Sequence, residues 1–135
     1  MTTREDLESY LMRLGVDIEE LEPDMWLIES NGEAPRIVVH YSPPVVVLRL
    51  KVMDLPPGSD DGRYGALYRR LLELNATDIV HGSYGIEADE VVLSDALELE
   101  SLDFNELRSS YESLALAASG HLPRLAELVP VAQEG

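Results

Sequence analysis

The sequence predicts an α+β fold: an antiparallel twisted sheet of about five strands covered by helices, in the order α-β-β-β-α-β-β-α. Three observations predict it. Residues 25–30 (MWLIES), 36–41 (RIVVHY) and 45–53 (VVVLRLKVM) read as strands joined by short links, as antiparallel strands are. Three other stretches carry apolar stripes at helical spacing behind capping residues. Residues 71–99 (LLELNATDIVHGSYGIEADEVVLSDALEL) read as a helix end, a loop, a short strand, a tight turn and a longer strand.

Taken in order, Thr2 or Thr3 caps a first helix, with Glu5 or Asp6 three residues on completing a capping box. Leu7, Tyr10, Leu11 and Leu14 share one face, and Gly15 ends the helix. So short a helix, with so narrow a stripe, is expected at the edge of the fold. Residues 17–24 form an acidic connector with room for a short strand of its own. After the strand at 25–30, Asn31-Gly32 is a hairpin signal, because both residues accept positive φ, and the loop extends to Pro35. Ser42-Pro43-Pro44 breaks the next strand, since proline cannot donate to a ladder. In the third strand, alternation points Val46, Leu48, Leu50 and Val52 to the core. Val45, Val47, Arg49 and Lys51 take the opposite face, half apolar and half basic.

Residues 54–62 (DLPPGSDDG) are a loop. A second helix spans about 63–75, striped by Tyr64, Leu67, Tyr68, Leu71 and Leu74, and Asn75 is able to stop it. Gly82 and Gly85 bracket Ser83-Tyr84 and suggest a backbone that bends or is closely approached. Ala88 and Asp89 connect the final two strands as a hairpin turn. Asp103, with Glu106 three residues later, caps a third helix along Phe104, Leu107, Tyr111, Leu114 and Ala118, and Gly120 ends it. Residues 121–129 allow one or two more turns, and the last residues are expected to fray.

Composition narrows the function classes. The chain has 135 residues, close to the commonest size for one domain, and we read 1–135 as one. Its formal charge of -16, from 26 acidic and 10 basic residues, repels a phosphate backbone and an anionic membrane surface. No nucleic-acid or membrane partner is expected. There are no cysteines, so disulfides and thiolate metal sites are excluded, and a reducing cytoplasm suits the chain. The N-terminus has neither the basic start nor the apolar run of a signal peptide. No stretch approaches the roughly 20 apolar residues of a membrane span.

A search for chemistry finds little. His40, His81 and His121 fall on a strand, in a loop and at a helix end, without paired metal-ligand spacing. In residues 82–85 (GSYG) the glycine directly precedes the serine, whereas a nucleophile elbow needs Gly-x-Ser-x-Gly between a strand and a helix. Asp60-Asp61-Gly62 lacks the alternating acids and closing Glu of a calcium loop. Glu98 and Glu100 alternate along a strand end and face water. We therefore expect no catalytic, cofactor or metal residues, no cofactor, and a chain that is not an enzyme. What remains is surface. Trp26 is the sole tryptophan, and large aromatics favour interfaces. Val45 and Val47 beside Arg49 and Lys51 suit a sheet face that meets another chain. The second helix carries Tyr64 and Tyr68, more aromatic surface than one stripe needs, so a homodimer is expected. The alternative is a small-molecule-binding domain or small enzyme using the concave face of the sheet, for which His40 and His81 are the residues to change.

The helix order, small size and acidic charge, with LLELNA at 71–76 and GSYGIEADEVVLSDALELESLDFNEL at 82–107, resemble the type III secretion chaperone-like superfamily, which includes CesT-like chaperones and YbjN-domain proteins. The resemblance implies a non-enzymatic, usually dimeric domain that is chaperone-like or regulatory. It holds a client or partner segment on apolar patches and sheet edges. Carried over by element, it implies protein-binding residues Leu7, Tyr10, Leu11 and Leu14 on the first helix and Trp26 and Ile28 on the first strand. It implies a dimer interface at Tyr64, Tyr68 and Leu72 on the second helix.

Overall fold

A computed structural model describes residues 1–29 and 36–130. The elements run α1 (Arg4–Arg13), β1 (Asp17–Glu22), β2 (Met25–Glu29), β3 (Ile37–Ser42), β4 (Val45–Asp54), α2 (Gly65–Thr77), β5 (Ser83–Glu87), β6 (Glu90–Glu98) and α3 (Phe104–Glu127). All six strands join one sheet, ordered β1-β2-β3-β4-β6-β5, and every pairing is antiparallel. The acidic connector is the extra strand: Ile18 pairs with Ile28 and Glu20 with Trp26, with a bulge before Glu22. Four acidic side chains do not prevent pairing here, because an edge strand keeps them in water.

Alternation decides the layers. Trp26 and Ile28 of β2, Ile37 and Val39 of β3, Val46, Leu48 and Leu50 of β4, and Val91 and Leu93 of β6 all turn to one face and are buried. The helices supply Leu7, Leu11, Leu67, Leu71, Leu74, Leu107 and Leu114 to the same core cluster. The opposite face of the sheet has no helix over it among the described residues.

Helix starts follow local chemistry. The Thr3 hydroxyl accepts from the Asp6 N–H and the Asp6 carboxylate accepts from the Thr3 N–H, a complete capping box. The Thr3 N–H, with a smaller contribution from the Thr3 hydroxyl, holds the Asp6 carboxyl below its ordinary value. Asp103 likewise accepts from the Glu106 N–H at 2.8 Å. Helix ends are less local. Asn75 does not stop α2, which runs to Thr77 because the Asn75 side chain is engaged with β5 instead. Gly120 does not stop α3, which continues through Pro123 to Glu127. Burial of Leu125, one apolar repeat beyond Ala118, outweighs the helix-breaking tendencies of glycine and proline. α1 sits at the β1–β2 end of the sheet, where Leu7 and Leu11 are wholly buried.

The turn between β5 and β6 is Ala88-Asp89, with Ala88 at φ 52. Gly82 is closely approached: a Cβ there would lie 2.6 Å from the Ser94 carbonyl oxygen and 2.8 Å from Leu114 Cδ2. Gly85, by contrast, has open space around it. The Asn31-Gly32 turn and the C-terminal AQEG lie outside the described residues. No helix among the described residues is long and apolar enough to cross a membrane.

Candidate functional site

The structure separates the six residues expected to face a partner. Leu7, Leu11, Trp26 and Ile28 are at most 2% exposed and belong to the core, which corrects their placement on the surface. The reason is strand phase: Trp26 sits opposite Val39 in the β2–β3 register, on the face beneath α1, and Met25 and Leu27 take the outer face. Arg4 lies over the indole of Trp26. Tyr10 and Leu14 are half-buried, the Tyr10 ring 6.2 Å from that of Phe104.

The expected dimer residues also divide. Tyr64 is buried and stacks on Tyr68 at 6.2 Å, so it presents no surface. Tyr68 is half-buried, its hydroxyl donating to the Ser59 carbonyl at 2.8 Å. Leu72 is 69% exposed and Ile86 of β5 is 52% exposed. Between α2 and β5 these side chains, with Leu71, Asn75 and Tyr84, line an apolar groove of about 320 Å³. Asn75 organises it. Its Oδ1 accepts the Tyr84 N–H at 2.7 Å, and its Nδ2 donates to the Tyr84 carbonyl at 3.1 Å. One side chain thus satisfies both main-chain groups of a residue on the terminal strand of the sheet, and Ile86, two residues on, continues that edge.

A second surface is the open face of the sheet. Leu27, Val38 and Val92 floor a concavity of about 560 Å³ walled by Arg36, Arg49 and Lys51. Arg49 pairs with Glu87 at 2.7 Å, and Lys51 with Asp54 at 3.2 Å and Glu90 at 4.0 Å. All of these side chains are about half exposed or more, so each pair contributes at most about 1 kcal/mol. Sequence alternation marked Arg49 and Lys51. Arg36, Glu87 and Glu90 reach the same place only through strand pairing, which no local signal announces.

Titratable groups meet in one more place. The Tyr84 hydroxyl is 2.8 Å from His121 Nδ1, and His121 Nε2 is 3.3 Å from Asp78 Oδ2. Burial, with a smaller contribution from the Asp78 charge, pushes the Tyr84 phenol up to about 12. The phenol therefore keeps its proton, and in the tautomer in which it donates to Nδ1, Nε2–H donates to Asp78. A phenol so held is a poor base and nucleophile. The chain of bonds ties β5, α3 and the end of α2 together. Ser110, wholly buried, donates to Asp95 at 2.8 Å and ties α3 to β6. His40 is exposed on the open sheet face and His81 lies half-buried before β5. Among the described residues no three His, Cys, Asp or Glu side chains converge as a metal site would.

The model of the CesT_Tir_1 family matches residues 1–130. A comparison with curated proteins finds no match. Among solved structures, the chain is similar to one in the heterodimeric ExoU-SpcU complex from the type III secretion system of Pseudomonas aeruginosa. The TM-score is 0.67 at 16% identity, over 87% of this chain and 95% of that one. It is similar to one in the complex of the Yersinia pestis type III secretion chaperone SycH with a stable fragment of YscM2, with a TM-score of 0.61 at 17% identity, over 87% and 98%. It is similar to YbjN from E. coli, with a TM-score of 0.62 at 12% identity, over 96% of both chains. At these identities the likeness is one of fold.

Proposed function

From the premise that the chain belongs to the CesT_Tir_1 family, we propose that it is a non-enzymatic protein-binding domain, chaperone-like or regulatory, that holds a segment of a client or partner protein on apolar surface and works as a cytoplasmic homodimer. The observation that carries this reading is the apolar surface the helices leave uncovered, in the α2–β5 groove and on the open face of the sheet. The SycH structure, a secretion chaperone complexed with a protein fragment, is a precedent for the use of this fold. The two surfaces divide the work. The groove, with Leu72 and Ile86 exposed beside the stretch of β5 that Asn75 does not cap, suits pairing with a second copy through its apolar strip. Of the residues first expected in the dimer interface, Tyr68 and Leu72 can serve, while Tyr64 supports them from the core. Of those first expected to bind a client, only Tyr10 and Leu14 keep exposed area, so most of the client surface lies elsewhere.

The test is limited proteolysis of the protein together with the partner recovered on it from the native host. The expected result is a protease-resistant partner segment that becomes sensitive once the two are separated. A partner cleaved identically in both states would overturn the holding role.

A further inference from the structure

We infer that Asn75 closes the β5 edge of the sheet to strand addition. Neither β5 of a second copy nor any other extended segment can lengthen the sheet there while that side chain is in place. The inference names what this edge excludes, and it stands or falls apart from the protein-binding reading.

The hairpin fixes which main-chain groups face outward. Ala88-Asp89 is a two-residue turn, which makes Glu87 and Glu90 the hydrogen-bonded pair that closes it. Bonded pairs recur at alternate positions, so Gly85 bonds Val92 and Ser83 bonds Ser94. Tyr84 and Ile86 are left with N–H and C=O turned away from β6, the two positions of β5 at which another strand could add. Asn75 occupies the first. Its Oδ1 takes the Tyr84 N–H at 2.7 Å and its Nδ2 gives to the Tyr84 carbonyl at 3.1 Å. One residue of an added antiparallel strand makes the same two bonds, so the carboxamide stands where that residue would be. With Tyr84 taken, Ile86 alone offers a newcomer one bonded pair, too little to hold a strand in water.

Charge explains why such a device is needed on this edge. β1, at the other edge, carries four acids in six residues, Asp17, Glu19, Glu20 and Glu22. Repeated charges of this kind keep strand edges apart. β5 carries only Glu87, and that side chain is drawn to Arg49 at 2.7 Å. Its middle, Tyr84-Gly85-Ile86, is uncharged, and Ile86 is exposed. An uncharged edge with an exposed apolar residue is the kind that pairs with other chains, and here the carboxamide does what charge does on β1.

The test is sedimentation velocity of the full chain over a concentration series, wild type against Asn75→Ala. The variant is expected to shift to species of roughly twice the wild-type mass or more, because an opened edge joins two molecules. Unchanged Trp26 emission shows that it stays folded. Asn75→Leu, which keeps the bulk and suits a helix, keeps the test valid if the alanine variant fails to fold. Ile86→Pro removes the remaining outward N–H, at an edge position where proline is tolerated. Added to Asn75→Ala, it is expected to abolish the larger species. That readout separates strand addition from a merely structural role, which would lower stability and leave association as it is in wild type. Asn75 variants that form nothing larger than wild type at any concentration overturn the inference. So do larger species that survive Ile86→Pro, since their contact then lies on another surface.

Discussion

The guanidinium of Arg4 lies 5.0 Å above the indole of Trp26, and its Nε donates to the Pro23 carbonyl at 2.6 Å. Arg4 also reaches Asp24, Glu20 and Glu8, so one side chain fastens the start of α1 to the β1–β2 turn and lids the largest core residue. The carboxylate partners are about half exposed and contribute little. The stacking and the carbonyl bond carry most of the effect. Arg4→Ala is expected to cost about 1–2 kcal/mol in urea unfolding and to shift Trp26 emission to the red. Unchanged emission would show that α1 seals Trp26 without it. Arg4→Lys restores the charge but not the planar stack, and is expected to recover part of the loss.

Gly82, at φ +89, sits against the Ser94 carbonyl and Leu114. Gly82→Ala meets both a conformational penalty and main-chain overlap that no rotamer relieves. It is expected to destabilise by about 2–4 kcal/mol, visible as a large drop in the urea midpoint. Gly85→Ala, in open space, is the control, with an effect expected within about 1 kcal/mol.

Tyr84 links stability to alkaline pH. Its phenol is raised from 10.0 to about 12 by burial, so the folded state holds the proton more tightly than the unfolded one. That contribution is fully present below pH 10 and is lost as pH climbs through 12. Tyr84→Phe removes the bond to His121 and is expected to cost about 1 kcal/mol at neutral pH. It also removes the titration, so the stability gap between wild type and variant should close as pH rises from 10 toward 12. A constant gap in melts across that range would assign the raised phenol no role in stability.

Leu72 and Ile86 are exposed where α2 meets β5, so a charge there disturbs no core. Leu72→Asp with Ile86→Asp is expected to leave folding stability within about 1 kcal/mol of wild type and to convert a dimer into a 15.0 kDa monomer in sedimentation equilibrium. A dimer that survives the pair of changes would place its interface elsewhere.

Local signals in the sequence were legible because their physics is local. The Thr3–Asp6 capping box, the Asp103 cap and the Ala88-Asp89 turn each involve residues within three positions of one another. The phase of β4 was legible because strict alternation leaves only two choices, and Val46, Leu48 and Leu50 settle them. What stayed hidden depends on contacts far along the chain. The stripe of α1 looked the same whether it met a partner or the core, and the burial of Leu7 and Leu11 was decided by a sheet folded from residues downstream. Trp26 read as interface material until its pairing with Val39 fixed its direction. Asn75 read as a helix stop because its bonds to Tyr84 lie beyond the helix. Arg36, Glu87 and Glu90 carried no motif at all and come together only when β3, β4, β5 and β6 pair.

Native mass spectrometry of the tagged protein recovered from its own host tests the central claim most directly. The account predicts two copies of the 15.0 kDa chain carrying one other polypeptide in fixed stoichiometry. Recovery of the chain with no stoichiometric partner under every growth condition tried would contradict it.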